Sequence, residues 1–547
     1  MSIQSKADGD EMKTVGVSDL LEISGKYQIL QYFYVCLPAI FVSMINVNYI
    51  FVAGEINYRC MIPECETNFT YAAPWWPKTH TDQCTKPKLN TTLSYQCTNE
   101  SFTAATEECT DWIYESNDTI ISKLNLACQP WKRGLIGPVH SIGMTFAMLV
   151  AGWMCDSIGR KPTLIICAVG CIVGNFKILA TSYPVYVTLE FLEAAISGGA
   201  YTAESVLMIE IGNKKNRMLS GVLFAYAIYM GEAVFAIVAM FVPHWKSLIL
   251  IICSPTIIFL LYIIVVKESP RWLILNGKLT EAKSTLRQMI EMNNIKANLE
   301  ELDRIDASQL KEAYNIGTEG KKEGFKEVFH SREVIKRLLV AFECRFTVGF
   351  VYYGLLANSV SLPGNKYINF LIGAIMSFPG ELISLYMMNK FGRKLPLIYG
   401  YLFTGIACVV YGYVPEAYSE LKITFFFFGK LLSSACYTGI MTYGMELFPT
   451  SVRGSLLGLC TLASCSGTMM GLLTPMMASI SPALAAVCFG CTAVISSCLL
   501  ILTPETRDLP LPDTIEQISK DTVSLSKNID KTITGVYNTT YSDDQGF

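Results

Sequence analysis

The chain predicts an all-α membrane protein: twelve helices in two related six-helix bundles, with a cysteine-rich insert. Apolar stretches of about 20 residues, enough to cross a bilayer as a helix, recur along the 547 residues. The composition is 51% hydrophobic and 16% charged, whereas a soluble chain carries nearer about a quarter charged residues. A short basic turn between apolar runs, Gly152-Trp-Met-Cys-Asp156-Ser-Ile-Gly159-Arg160-Lys161-Pro162, returns as Met388-Asn389-Lys390-Phe391-Gly392-Arg393-Lys394-Leu395-Pro396 in the same setting. A duplicated bundle places the functional site between its halves.

Taken in order, residues 1–26 are polar and read as a cytoplasmic N-terminus. The bundle over 27–266 has spans near 27–51, 133–155, 163–181, 185–211, 219–242 and 247–266. Residues 337–503 repeat it near 338–360, 368–388, 397–414, 423–445, 455–480 and 482–502. Further paired landmarks support duplication: Glu210 and Arg217 match Glu446 and Arg453, while Glu268-Ser-Pro-Arg271 matches Pro504-Glu505-Thr506-Arg507. Lys and Arg gather at one end of the spans, which puts both termini and the central segment 267–336 in the cytoplasm. That segment reads as a solvated linker with short amphipathic helices over 279–292 and 299–313, and the tail 504–547 as polar and disordered.

Residues 54–132 read as an extracellular loop. They hold Cys60, Cys65, Cys84, Cys97, Cys109 and Cys128, an even set in a polar stretch, which implies three disulfides with fifteen possible pairings. The same stretch carries glycosylation triplets at Asn68, Asn90, Asn99 and Asn117. The other cysteines lie in apolar segments and act as small hydrophobes.

Several function classes are excluded. A net charge of −3 without a basic block argues against a nucleic-acid partner. No phosphate-binding Gly-x-x-x-x-Gly-Lys-Ser/Thr loop is present. His80, His140, His244 and His330 are not at metal-ligand spacing, and no cofactor or catalytic constellation can be drawn. The chain therefore reads as no enzyme.

Cys109-Thr-Asp-Trp112, Leu126-Ala-Cys128, Asp156-x-x-Gly159-Arg160-Lys161, Glu268-Ser-Pro-Arg271-Trp272-Leu273, Tyr352-Tyr353-Gly354 and Glu446-Leu-Phe-Pro-Thr resemble the organic cation/carnitine transporter branch of the major facilitator superfamily, shared with organic anion transporters. The resemblance covers about residues 15–510. It implies two six-helix bundles around a central cavity that opens to one side at a time. By motif position it carries pocket roles to Asn46, Tyr201, Tyr229, Tyr352, Tyr353, Tyr437 and Thr438. Two departures stand out: Thr468 occupies the eleventh-span position that is Asp in cation carriers and Arg in anion carriers, and in the eighth span Ser377 stands where an acid often precedes the Pro, with Glu381 one turn later; Arg345 also replaces a family Trp.

Charges inside a span cost about 2.5–3.5 kcal/mol each on insertion scales, so each needs a reason. The acids are Glu190, Glu193, Glu204, Glu232, Glu343 and Glu381; the bases are Lys177, Arg345 and Lys430. Helical spacing puts Glu190, Glu193, Tyr201 and Glu204 on one face of the fourth span. Glu190 and Glu193 read as buried pair formers. Glu204 is the leading substrate carboxylate, followed by Glu232 and Glu381.

At the cytoplasmic end a gate is expected from Asp156, Gly159, Arg160, Glu210, Arg217, Glu268, Arg271, Arg393, Glu446, Arg453, Glu505 and Arg507. Asp156 should face a helix end of the other half, with Arg160 paired to Glu210. Glu446 with Arg453, and Glu505 with Arg507, should mirror that pairing. The resulting expectation is a plasma-membrane carrier of small organic cations or zwitterions. Its rivals are an organic anion exchanger and a non-transporting receptor that uses the insert. The partners implied are an organic ion and the lipid bilayer; the insert also leaves room for homo-oligomer contacts.

Overall fold

The computed structural model describes residues 25–66, 69–77, 80, 82–89, 97–98, 101–212, 217–295, 299–313, 328–449, 451–507 and 515–518. Among them, 11 helices are long and apolar enough to cross a membrane. In the first half these are Lys26–Val52, Pro130–Ser157, Arg160–Leu179, Leu219–Phe241 and Trp245–Val265. In the second they are Arg332–Ser361, Lys366–Phe391, Lys394–Tyr413, Ser419–Leu447, Arg453–Ala478 and Ala483–Leu500. The remaining span, fourth in chain order, is Tyr183–Ser197 followed by Gly199–Ile211. Gly198 keeps helical angles (φ −60°, ψ −23°), so the two pieces run on as one rod. Glu190, Glu193, Glu204 and Glu210 lower its hydropathy.

Each half has its own apolar core. Tyr186, Phe235, Ile249 and Phe259 belong to the first; Val340, Tyr401, Ile440 and Tyr443 belong to the second. The seventh and eleventh spans approach closely because glycines line their crossing. A Cβ on Gly467 would strike the Phe346 carbonyl, and one on Gly471 the Phe350 carbonyl.

The bundles are sealed together at the end that carries the insert. Phe51 stacks on Tyr367, with ring centroids 5.0 Å apart, and meets Phe370 edge-on at 5.3 Å. Leu356, Ala357 and Leu472 of the second half are buried within the first half's core.

The insert forms two small antiparallel sheets. β1 (Tyr58–Cys60) pairs with β4 (Trp112–Tyr114), and β2 (Thr85–Leu89) pairs with β3 (Phe102–Glu108). Its disulfides are Cys60–Cys109, Cys65–Cys97 and Cys84–Cys128. Arg59 is buried against Glu66 and beneath the rings of Trp75 and Trp76, 5.0 and 5.5 Å away. Asn117 is exposed; Asn68, Asn90 and Asn99 lie outside the described residues.

Two expectations are corrected. The described part of the central segment up to residue 313 is a packed helical cap rather than a solvated linker. Helices Pro270–Leu275, Leu279–Met292, Leu299–Arg304 and Ala307–Ala313 share a core of Trp272, Leu286, Met289, Leu302 and Leu310 that also buries Tyr27. Polar contacts fasten the cap to the first bundle: Asn293 accepts from the Tyr27 N–H at 2.9 Å, and Trp272 donates to the Asp156 carbonyl at 3.1 Å. The tail is also anchored, because Ile515 and Ile518 are buried in the second half's core. Sparse apolar residues in a polar stretch carry no periodic signal, so only the docked fold reveals them.

The glycine crossing makes a direct prediction. Gly467→Val should lower the melting temperature of the detergent-purified protein by several degrees, consistent with an overpacking cost of about 1–3 kcal/mol. Gly458→Ala on the same helix has open space around it and should melt within about a degree of wild type, since such surface changes usually stay within about 0.5 kcal/mol.

Candidate functional site

Two matching cages stand at the end opposite the insert. In the first half the chain turns through Gly159 at φ +114°, a conformation suited to glycine. The turn starts the third span, whose leading N–H groups lack helical partners. Glu268 supplies them: it accepts from the backbone N–H of Arg160 at 3.2 Å and of Lys161 at 3.1 Å. Carboxylates are favoured at a helix N-terminus. The Arg160 guanidinium donates to Glu210 at 3.0 Å and to the Cys155 carbonyl at 2.9 Å, while Lys161 reaches the Ile263 carbonyl at 2.7 Å.

The second half repeats this atom for atom. Gly392 turns at φ +94°, and Glu505 accepts from the Arg393 and Lys394 N–H groups at 2.8 and 3.0 Å. Arg393 donates to Glu446 at 3.2 Å and to the Met388 carbonyl at 3.0 Å; Lys394 reaches the Ile501 carbonyl at 2.9 Å.

This geometry corrects the expected pairings. Asp156 does not face the other half: its side chain is 81% exposed and meets Arg160 at 3.3 Å. Asn389 holds the equivalent place, accepting from Arg393 at 3.4 Å, so the two cages differ in charge while sharing geometry. Glu446 is held by Arg393, and also by the Thr506 hydroxyl at 2.7 Å, whereas the Arg453 guanidinium goes to the Phe448 carbonyl at 3.0 Å. Arg507 donates to the Lys390 carbonyl at 3.0 Å while its backbone N–H joins those on Glu505. Arg271 lies in the first turn of Pro270–Leu275, and Arg217 opens the fifth helix with its side chain outside the described residues. Each cage welds spans of one bundle together.

At mid-membrane the halves meet around an aromatic cluster. Glu232 of the fifth span accepts from the Tyr352 hydroxyl of the seventh at 3.4 Å, and Tyr352 also contacts the Ser377 hydroxyl at 3.3 Å. Tyr352 packs against Tyr353, Tyr437 and Tyr229, with centroids 5.1, 5.5 and 6.4 Å away. Lys430 lies over the Tyr352 ring, 3.0 Å from its centroid. Glu381 accepts from the Thr438 hydroxyl. Sequence reasoning missed Tyr226, Phe378 and Ser434. Tyr226 and Tyr229 both pack on Phe378, at 5.0 and 5.7 Å, and Ser434 donates to Tyr229 at 3.4 Å. The three-residue spacing of Tyr226 and Tyr229, which puts both on one helix face, was the available signal.

The remaining candidates fall elsewhere. Glu204 is fully buried with neither carboxylate oxygen hydrogen-bonded, and its ionisable neighbours Cys36, Cys167, Cys171, Tyr201 and Tyr262 all belong to the first bundle. It is therefore enclosed by one half, whereas Glu232 and Glu381 line the seam. Tyr201 packs edge-on against Phe224 at 6.0 Å. Asn46 is half-buried on the first span, and Thr468 donates to the Ser464 carbonyl of its own helix at 3.0 Å. Glu190 and Glu193 both receive Lys177, the former at 2.9 Å, and Glu190 meets His140 at 2.8 Å. Lys177 and His140 thus give both carboxylates partners within the first bundle. Arg345, 4% exposed on the seventh span, has no such carboxylate partner among the described residues.

The family model described as sugar (and other) transporter matches residues 41–517. Solute carrier family 22 member 3 of Mus musculus is 27% identical over 75% of this chain and 74% of that protein. The organic cation transporter protein of Drosophila melanogaster is 25% identical over 90% of this chain and 92% of that protein. Among solved structures, the xylose transporter XylE from E. coli in an inward open conformation superposes with a TM-score of 0.58 at 15% identity, covering 89% of this chain and 99% of that one. The fold is therefore that of the major facilitator superfamily.

The cages differ in how their acids titrate. Burial pushes the Glu505 carboxyl up, but four backbone N–H donors outweigh it and hold the group below its usual range. Burial dominates at Glu268 and pushes it up despite similar donors. A depressed folded pKa adds stability above the unfolded value of about 4.3 and loses it as pH falls through the folded value. Thermal melts should thus find Glu505→Gln less stable than wild type at pH 7, with the gap closing toward pH 3. For Glu268→Gln, whose parent carboxyl is raised, the difference from wild type should move the opposite way with pH.

Proposed function

This chain belongs to the sugar (and other) transporter family, and from that premise we propose that it carries small organic cations or zwitterions across the plasma membrane by alternating access. The observation that carries the reading is the seam. Glu232 and Glu381, from opposite bundles, gather around Tyr229, Tyr352 and Tyr437. Carboxylates and aromatic faces together suit an ammonium group, which the ring quadrupole attracts. Lys430 already occupies one face of Tyr352, an internal cation in the kind of contact a substrate would make. The name of the fruit-fly relative points the same way.

The cages make each bundle a stiff body, so that motion concentrates at the seam. Arg160, Lys161, Arg393 and Lys394 at the cage end support a cytoplasmic side for that end and for both termini. The disulfide-bonded insert then faces the oxidising exterior. With the insert end sealed by Phe51, Tyr367 and Phe370, this conformation is closed to the outside.

Uptake of labelled tetraethylammonium, carnitine and p-aminohippurate into cells expressing the chain tests the reading. Cation or zwitterion uptake is expected, and Glu232→Gln and Glu381→Gln should each reduce it about ten-fold or more, equivalent to about 1.4 kcal/mol of lost binding. Surface expression should be unchanged. Uptake of p-aminohippurate alone would reject the reading, and absence of any flux in proteoliposomes would favour a receptor.

A further inference from the structure

The second bundle carries a groove of about 340 Å³ between its spans Lys366–Phe391, Lys394–Tyr413 and Ser419–Leu447. Sites for small molecules run from about 300 to 1,000 Å³, so this one can seat a ligand. Its floor is formed by buried Ser384, Met388, Leu397 and Cys436. Gly400 lets the ninth span reach that floor, where a Cβ would stand 2.7 Å from the Cys436 Sγ. The rim is aromatic and exposed on membrane spans, so the groove opens toward lipid. It consists of Phe391, Tyr399 and Phe403, the last two stacked with centroids 6.3 Å apart. None of the lining side chains is charged, and neither Glu232 nor Glu381 is among them, so the groove is separate from the seam.

The groove begins beside the Gly392 cage. From Phe391 to Ile383 the eighth span rises about 12 Å, at about 1.5 Å per residue, close to one leaflet's hydrocarbon depth of about 15 Å. Positive charge gathers at the cage end. Arg393, Lys394 and Arg507 there donate to carboxylate or carbonyl oxygens of the second bundle. Lys390 is exposed and donates to the Tyr386 hydroxyl of its own helix at 3.1 Å, with its ammonium 5.3 Å from the Phe391 ring that walls the groove. Among the described residues no carboxylate lies within ion-pair distance of it. The first half lacks this feature, because Asp156 and Ser157 stand where the second half has Asn389 and Lys390. Each exchange adds one unit of positive charge to a turn whose backbone geometry is otherwise the same.

We propose that the groove holds an anionic phospholipid of the cytoplasmic leaflet, with its phosphate on Lys390 and one acyl chain along the uncharged channel. An apolar floor and aromatic rim suit a hydrocarbon chain, and a lysine ammonium binds phosphate as a point charge. The cytoplasmic leaflet carries anionic lipids, and basic pockets between helices on that side bind their headgroups. A sterol would use the groove without the lysine, and a free phosphate ion the lysine without the groove; the two features together select the lipid. The floor also backs onto the seam. Ser384 lies three residues beyond Glu381, and Cys436 two residues before Thr438, from whose hydroxyl Glu381 accepts. A bound chain therefore braces the two spans that make this contact. The choice of leaflet rests on the cytoplasmic side proposed above for the cages; the site itself does not depend on which substrate is carried.

The test titrates the purified full chain, in a neutral detergent, with phosphatidylserine and with phosphatidylcholine of the same acyl chains, and follows retained lipid by native mass spectrometry. Wild type should hold phosphatidylserine at least five-fold more tightly than phosphatidylcholine. Lys390→Gln should weaken phosphatidylserine about five-fold and level the two lipids, the change expected for one basic side chain at an anionic surface, and Lys390→Arg should keep the preference. Ala435→Trp puts a large side chain into the groove and should remove the tight site for both lipids. Lys390→Gln, at an exposed position, decides alone if Ala435→Trp does not fold. Inorganic phosphate and glycerophosphoserine, which lack acyl chains, should not compete. Phosphatidylserine binding unchanged by Lys390→Gln overturns the site and leaves ordinary boundary lipid. Displacement by inorganic phosphate overturns the lipid in favour of a small anion. Tighter binding of cholesterol than of phosphatidylserine, insensitive to Lys390→Gln, overturns it in favour of a sterol.

Discussion

A carboxylate clasped by the backbone of a left-handed glycine turn is the interaction on which the rest of this molecule depends. At Gly159 and again at Gly392 the chain leaves one membrane helix and starts the next with no room for a Cβ beside Glu268 or Glu505. The exposed N–H groups of the new helix, the adjacent arginine and a second glutamate are all satisfied at once. Three or four spans are thereby tied at one end. Each such arrangement is closed within its own half. Two stiff bodies that meet along a seam are the mechanical requirement for opening to alternate sides.

The seam then inherits the charges the bundles do not settle internally. Burial is costly for an ion, and the first bundle meets that cost by clasping Glu190 and Glu193 with Lys177 and setting His140 beside Glu190. Among the described residues, Glu232, Glu381 and Lys430 have no comparably complete set of partners. They stand around tyrosines contributed by both halves, where rearrangement of the bundles changes what each can touch. Charges whose partners lie within one half can thus be told apart from those left at the seam.

Much of the cage was legible in the order of residues. The paired turns and the two Glu-to-Arg spacings were visible, and Arg160–Glu210 is present. The partner of Glu446 was not legible. Arg453 is nearer in sequence, but Arg393 reaches it across two helices because the second half copies the first in space. Asp156 offered a charge and a position, yet its i,i+4 neighbour Arg160 is simply closer than any group on the other bundle. Glu204 shares a helix face with Glu190 and Glu193, but helical phase names a face without naming what packs against it. That face turns inward to the first bundle.

Hydropathy, the duplicated turn and the segregation of six cysteines into one polar stretch settle the number of spans, the two-fold repeat and the existence of a cross-linked insert. These are properties of short windows, set by bilayer thickness, backbone sterics and composition. Which cysteines join, which acids reach the seam, and how residues 267–295 and 299–313 form a cap all depend on contacts between segments distant in the chain. Such contacts are chosen by the packing of whole helices, and a one-dimensional pattern carries the face each residue occupies but not the surface opposite.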